Sequence, residues 1–168
     1  MTEFISFISA LVIHELGHIA AAKLLGVKTI SFTPGMCGAM LAFDFCNVGY
    51  IREAAVHLSG GIFGIAASLF VYLLFGERAL FFCGISVYLT VLNWMPIEGL
   101  DGSAFFRAVL SKFMMPDTVC RAVRTVSFIT TVLFWCAVLG IELRSSGNLS
   151  CIILAVSLLL ALLDKKVI

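Results

Sequence analysis

The stretch LVIHELGHIAAAKLLG, residues 11–26, places two histidines and a glutamate inside a run that is otherwise mostly apolar. A run of about 20 mainly apolar residues is long enough to cross a bilayer as a helix. Each ionisable group near the centre of a bilayer costs about 3 kcal/mol, even on the mild insertion scale. Three such groups within five residues therefore indicate a functional site and not an ordinary span.

The composition of the whole chain predicts an integral membrane protein. Of its 168 residues, 61% are hydrophobic and 12% charged, and the mean hydropathy is +1.11, far from the usual values of a water-soluble domain. The apolar runs of bilayer-spanning length are 4–25, 54–75, 79–95, 125–141 and 145–163. We therefore predict an all-α polytopic membrane protein with about five transmembrane helices, forming a single domain over residues 1–168.

The basic residues predict the orientation of these spans. Nine of the 11 lysines and arginines fall at the end of span one, between spans one and two, between spans three and four, or after span five, and only Arg78 and Arg144 fall elsewhere. By the positive-inside rule, the N-terminus lies outside and the C-terminus lies in the cytoplasm. We expect the plasma membrane as the location.

The segment between the first two spans predicts a β-hairpin. Residues 27–45 carry β-branched and aromatic residues on either side of Pro34 and Gly35, a turn signal, and the segment is too apolar for a solvated loop. We expect the hairpin to dip toward the membrane, where its backbone must be buried in protein or line a wet cavity. An exposed strand edge there could pair with an extended substrate segment.

A row of small residues in the second span predicts close helix packing. Gly60 and Gly64 form a GxxxG pattern that Ser68 continues, and such a row lets two helix backbones approach closely in lipid. The first span, with Gly17, is the expected neighbour.

The two histidines of the opening stretch have the spacing of metal ligands. His14 and His18 are four residues apart, so on a helix they differ by about 40° in azimuth and about 6 Å along the axis, and both imidazoles can reach one ion. Glu15 between them could contact a water on that ion, as in the HExxH zinc hydrolases. The alternative is a structural polar cluster that holds no metal.

A catalytic zinc site normally needs a third protein ligand and leaves the fourth position to water. Glu98 and Asp101 lie in NWMPIEGLDG, residues 93–102, where Pro96 ends or kinks the third span. The predicted topology brings this segment to the depth of the histidines. On the residues alone, either acid could be the third ligand.

His57, near the start of the second span, is the only other histidine. We interpret it as an interfacial histidine that bonds to backbone or water. The alternative is a donor to the transition state or to an entering substrate.

Together, HELGH in the first span and NWMPIEGLDG at the end of the third resemble the signature motifs of the site-2 protease family of intramembrane zinc metalloproteases, the second being NxxPxxxLDG. The resemblance spans about residues 11–110, and the small size is most similar to the sporulation-type branch. It implies a three-helix catalytic core over about residues 1–110, followed by extra helices over about 118–168. The chain departs from the family in its second core helix, where Ser59-Gly60-Gly61 replaces an Ala-Gly-Pro-like turn.

Carried over residue by residue, the resemblance implies one zinc ion held by His14, His18 and Asp101. It implies that Glu15 is the general base and that Asn93 helps to position the substrate or to stabilise the oxyanion.

The expected function is therefore hydrolysis of a peptide bond in or near a transmembrane segment of a membrane-associated protein, by zinc-activated water with a glutamate base. The alternative is a non-catalytic pseudoprotease that binds membrane clients, or a metal-handling protein. Besides the lipid bilayer, the expected partners are a membrane-protein substrate and a regulatory membrane protein. The net charge of +1 argues against a nucleic-acid partner.

Overall fold

The computed structural model describes residues 2–35, 38–142 and 156 of the chain, and most of these residues are helical. Its elements are α1 (Thr2–Leu24), β1 (Lys28–Gly35), β2 (Gly38–Asp44), α2 (Tyr50–Phe75), a 3-10 turn (Gly76–Ala79), α3 (Leu80–Asn93), α4 (Asp101–Ser111) and α5 (Pro116–Glu142). The chain divides into two compact units, of which the first ends at Trp94 and the second begins at Met95.

Three helices among the described residues are long and apolar enough to cross a membrane: Glu3–Leu24, Tyr50–Asn93 and Pro116–Gly140. The second of these comprises α2, the 3-10 turn and α3. Large apolar side chains at the end of α2 are exposed, including Phe70 at 62% and Leu73 at 73%. Because an apolar surface of this kind needs a non-aqueous cover, these helices indicate that the chain is associated with a membrane.

The prediction of five spans is confirmed only in part. The first, second and fourth predicted spans correspond to α1, α2 and α5. The third corresponds to α3, whose 14 residues extend for about 21 Å, less than the thickness of about 30 Å of a bilayer's hydrocarbon core. The fifth, 145–163, lies outside the described residues except for Val156.

Helices α1, α2 and α3 pack against one another in the first unit. The close approach of α1 and α2 depends on glycine, because a Cβ added at Gly17 would lie 2.9 Å from the carbonyl oxygen of Ser59 and 3.1 Å from Cα of Gly60. The predicted docking of the first two spans through small residues is therefore confirmed.

The second half of the small-residue row faces a different neighbour from the one expected. A Cβ at Gly64 would lie 3.4 Å from Oγ1 of Thr90 in α3, and the carbonyl oxygen of Ser68 accepts a hydrogen bond from the thiol of Cys83 in α3. Each step of four residues rotates the position by about 40° around the helix. The row therefore turns away from α1 and toward α3 after Gly60.

The predicted β-hairpin is confirmed, but the predicted turn at Pro34 and Gly35 is wrong in position, because both residues belong to β1 and pair with β2. Strands β1 and β2 pair antiparallel from Lys28 opposite Asp44 to Gly35 opposite Gly38, with one irregularity between Thr29 and Ser31. The approach of this hairpin to the membrane stays a prediction.

The base of the hairpin is fixed by a small core. Three residues are buried together: Ala22 of α1, Val27 just before β1, and Val56 of α2. Phe43 and Phe45 pack against them. The hairpin therefore packs against α1 and α2 at the C-terminal end of α1.

The residues after β2 form a tight turn. The carboxylate of Asp44 accepts a hydrogen bond of 2.9 Å from the backbone N–H of Cys46. This hydrogen bond holds the pKa of Asp44 below its usual value, since a hydrogen bond to the charged form favours that form.

Candidate metal centre

His14 and His18 lie one turn apart on α1 and are both buried, with 3% and 4% of their surfaces exposed. Their Nε2 atoms are 3.3 Å apart, and the rings meet edge to face with centroids 5.0 Å apart. Zinc–nitrogen distances of about 2.0–2.1 Å in tetrahedral geometry separate two ligand nitrogens by about 3.3 Å. The separation of the two imidazole nitrogens therefore matches a shared tetrahedral ion.

The orientation of His18 is set by α2. Its Nδ1 lies 2.7 Å from the carbonyl oxygen of Val56, in a buried contact. A carbonyl oxygen only accepts hydrogen bonds, so Nδ1 carries the proton in this contact, and the lone pair of neutral His18 is on Nε2, the atom that faces His14. A hydrogen bond on the far side of the ring is the usual way in which a metal-binding histidine is oriented.

The same carbonyl group receives a second side-chain donor. The hydroxyl of Ser59 donates to the oxygen of Val56 at 2.6 Å, and Ser59 is itself buried. One turn of α2 therefore contributes the carbonyl group that accepts a hydrogen bond from His18 and the hydroxyl group of Ser59, which donates to the same carbonyl.

Gly60 lies directly against the two imidazoles. A Cβ added at this position would come closer than 3.0 Å to Nε2 of both His14 and His18, a separation that real Cβ atoms essentially never show. The space occupied by the paired rings thus exists because residue 60 has no side chain.

Asp101 is the first residue of α4 and is half-buried. His14, His18 and Asp101 are a group that could hold a metal ion. Two imidazole nitrogens and one carboxylate oxygen form a donor set known from catalytic zinc sites and from non-haem iron sites. The residues therefore fit a divalent metal with open coordination positions.

The backbone before Asp101 is fixed by a turn within the second unit. Gly99 has a φ of +93°, a conformation that favours glycine, and the N–H of Leu100 donates to the carbonyl of Ile97 at 3.0 Å. The hydroxyl of Ser103 then donates to the carbonyl of Leu100 at 2.8 Å. These contacts fix the start of α4 and with it the position of Asp101 on the helix.

Glu98, the other candidate for the third ligand, is engaged elsewhere. Its carboxylate lies 3.9 Å from Nη2 of Arg107, and its backbone N–H donates to the hydroxyl of Ser127 at 2.7 Å. Among the residues that the structure describes, the group that could hold a metal ion does not include Glu98. Its contacts are those of a residue that holds the 95–100 turn within the second unit.

The two predicted catalytic residues lie on different helices of the first unit. Glu15 is half-buried on α1 between the two histidines. Asn93 is the last residue of α3, and one of its amide N–H groups donates to the carbonyl of Leu89 at 3.0 Å.

His57 packs against the hairpin base. Its ring centroid lies 5.3 Å from that of Phe45, and the residue is half-buried. The interpretation of His57 as an interfacial histidine that bonds to backbone or water stays a prediction.

Two features of the site carry little signal in the sequence. The carbonyl of Val56 belongs to the backbone and is independent of residue type. Gly60 is visible in the sequence, but its GxxxG pattern indicates helix packing and says nothing of a contact with ligands.

No model of a known protein family matches the chain, and no curated protein matches it. The resemblance to site-2 proteases therefore rests on the two motifs in residues 14–18 and 93–102.

Proposed function

We propose that the protein is an intramembrane zinc metalloprotease of the site-2 protease type. The observation that carries this proposal is the convergence of two buried imidazoles, with Nε2 atoms 3.3 Å apart, inside a helix apolar enough to cross a membrane. His14, His18 and Asp101 would hold the zinc ion. The donor set and the orienting contact between His18 and Val56 support this assignment.

The location is part of the same proposal. The active site lies toward the cytoplasmic leaflet of the plasma membrane, with the N-terminus outside and the C-terminus inside. The asymmetry of the basic residues supports this orientation.

The chemistry of the reaction is peptide-bond hydrolysis. A bound zinc ion would supply a water whose pKa is lowered to about 7 and would polarise the scissile carbonyl. Glu15 takes a proton from the attacking water and returns it to the leaving amine. Asn93 positions the substrate or donates to the oxyanion.

A substrate helix must unwind locally, because its carbonyls are engaged in its own hydrogen bonds. The hairpin offers a partner for the unwound segment, since a sheet of two strands has an outer edge on each strand. An extended substrate would add to one of these edges by backbone hydrogen bonds. The anchoring of the hairpin to α1, the helix that carries both histidines, supports this role.

The experiment that tests the function compares wild type with Glu15→Gln in cells that co-express a library of single-span substrates. Loss of a general base lowers the rate by about 10² to 10⁴-fold, so cleavage should fall to background while the purified variant retains its metal. Glu3→Gln is the matched control, because Glu3 lies on the same helix and is exposed.

The same comparison separates the competing functions. A client-binding pseudoprotease or a metal carrier would show no cleavage in wild type and no effect of Glu15→Gln on client retention or metal content. That result would exclude the protease.

A further inference from the structure

One turn of α2 makes three different contacts around the histidine pair. Val56 accepts from Nδ1 of His18 at 2.7 Å, Ser59 donates to the same carbonyl at 2.6 Å, and Gly60 lies against Nε2 of both imidazoles. Residues 56, 59 and 60 are related by steps of three and four, so they share one face of the helix.

Gly60 differs from the next two glycines of α2 in the atoms that a side chain at its position would contact. A Cβ at Gly61 would lie 2.6 Å from Nε1 of Trp94 and 2.7 Å from Cγ2 of Thr90, both in the same unit. A Cβ at Gly64 would make only an ordinary contact, 3.4 Å from Thr90. Gly61 and Gly64 thus serve the packing of α2 on α3, whereas Gly60 adjoins the ligands themselves.

We propose that the turn from Val56 to Gly60 is a positioning element for the metal ligands, and that Gly60 is a positioning residue and not merely a packing residue. This inference rests on the proposed zinc site. The carbonyl of Val56 fixes the tautomer and plane of His18, and it can do so only because the rings lie flush with the backbone at Gly60. A methyl group there displaces Nε2 of His18 and Nε2 of His14, which opens their 3.3 Å separation.

A packing role and a positioning role predict different results for two neighbouring glycines. If Gly60 serves packing alone, Gly60→Ala and Gly61→Ala should behave alike, since each places a Cβ under 3.0 Å from its neighbours. If Gly60 positions the ligands, only Gly60→Ala should affect metal binding beyond its effect on stability.

The test uses the full-length protein in detergent, with Co²⁺ as the probe. Wild type, Gly60→Ala, Gly61→Ala and Gly64→Ala are titrated while the visible d–d absorption of Co²⁺ is recorded, and the Tm of each metal-free protein is measured. We expect Gly60→Ala to bind Co²⁺ at least about 10-fold more weakly than Gly61→Ala, in line with the usual effect of disturbing groups that orient ligands. Equal affinities for the two variants would overturn the proposal.

A second measurement needs no variant at position 60. Nitrogen-15 NMR of wild type labelled at its three histidines, with His57→Gln and His14→Gln used for assignment, reports which ring nitrogen of His18 carries the proton. We expect protonated Nδ1 without added metal. Protonated Nε2 would overturn the positioning role while leaving a metal site at these residues intact, whereas failure of wild type to bind Co²⁺ would remove the proposed function and the positioning role with it.

Discussion

The Nδ1 atom of His18 on α1 lies 2.7 Å from the carbonyl oxygen of Val56 on α2, within the buried interior of the first unit. This contact directs the opposite nitrogen of His18 toward Nε2 of His14. The ligand pair is therefore built by two helices: α1 provides the spacing, and α2 provides the orientation.

Replacing Asp101 by alanine should abolish stable metal binding. The variant retains two imidazoles but loses the carboxylate, and a catalytic site with two protein ligands is incomplete. We expect metal affinity to fall by at least about 100-fold. Loss of a residue that only hydrogen-bonds to a metal ligand lowers the affinity by about 10- to 100-fold, and loss of a ligand should lower it further. Asp117→Ala, which changes an exposed carboxylate in the first turn of α5, is the control and should bind like wild type. Equal zinc content in the two purified variants would contradict the assignment of Asp101.

Glu98→Gln should retain the metal and lose stability. The substitution removes the charge that faces Arg107 at 3.9 Å and leaves the backbone contact with Ser127 in place. Because Arg107 is partly exposed, we expect a coupling of about 1 kcal/mol in a double-mutant cycle with Arg107→Ala. Denaturation in detergent measures the coupling, and metal analysis measures the zinc. Loss of zinc from Glu98→Gln at unchanged stability would instead identify Glu98 as a ligand.

Asn93→Ala should lower activity without removing metal. If the amide donates to the oxyanion, loss of that donor lowers kcat by about 10² to 10³-fold. If it only positions the substrate, KM rises and kcat changes little. Steady-state cleavage of a purified single-span substrate in detergent distinguishes the two roles. Unchanged kcat and KM would exclude both.

The hairpin register allows a direct test of substrate pairing. Gly35 and Gly38 flank a two-residue connection, so they form a hydrogen-bonded pair, and the pairs alternate from there. Phe32 opposite Leu41 is then a pair whose N–H groups point outward. Phe32→Pro and Leu41→Pro should each remove an outward N–H, and the variant on the substrate-binding edge should reduce cleavage while zinc content stays constant.

The control for this experiment changes residues of the same strands whose backbone N–H groups point toward the other strand. Ser31→Pro and Ala42→Pro interrupt the ladder between β1 and β2 and should disturb the hairpin itself. Full cleavage by both outward-facing variants would exclude strand addition as the mode of substrate binding.

Much of the first unit was predictable because its determinants are local. The four-residue spacing of His14 and His18 specifies a shared helix face, and the turn signal of Pro34 and Gly35 indicates a hairpin, although both residues belong to β1. Pro34 itself occupies a pair position whose N–H would point outward, where proline interrupts no ladder hydrogen bond.

Other features depend on tertiary contacts that no local pattern encodes. The orientation of His18 depends on a backbone carbonyl, and the division of the small-residue row between α1 and α3 depends on how α2 rotates along its length. The end of α3 was predictable from Pro96. The start of α4 at Asp101 was not, because it follows from the positive φ of Gly99 and from contacts within the 95–100 turn.

X-ray absorption spectroscopy of the zinc-loaded protein shows whether His14, His18 and Asp101 share one ion. We expect one zinc per chain, with two imidazole ligands and oxygen ligands at about 2.0–2.2 Å. His14→Ala and Asp101→Ala should each abolish this spectrum. Sulfur ligands at about 2.3 Å, or a zinc site that persists in both variants, would show that these three residues do not hold the ion.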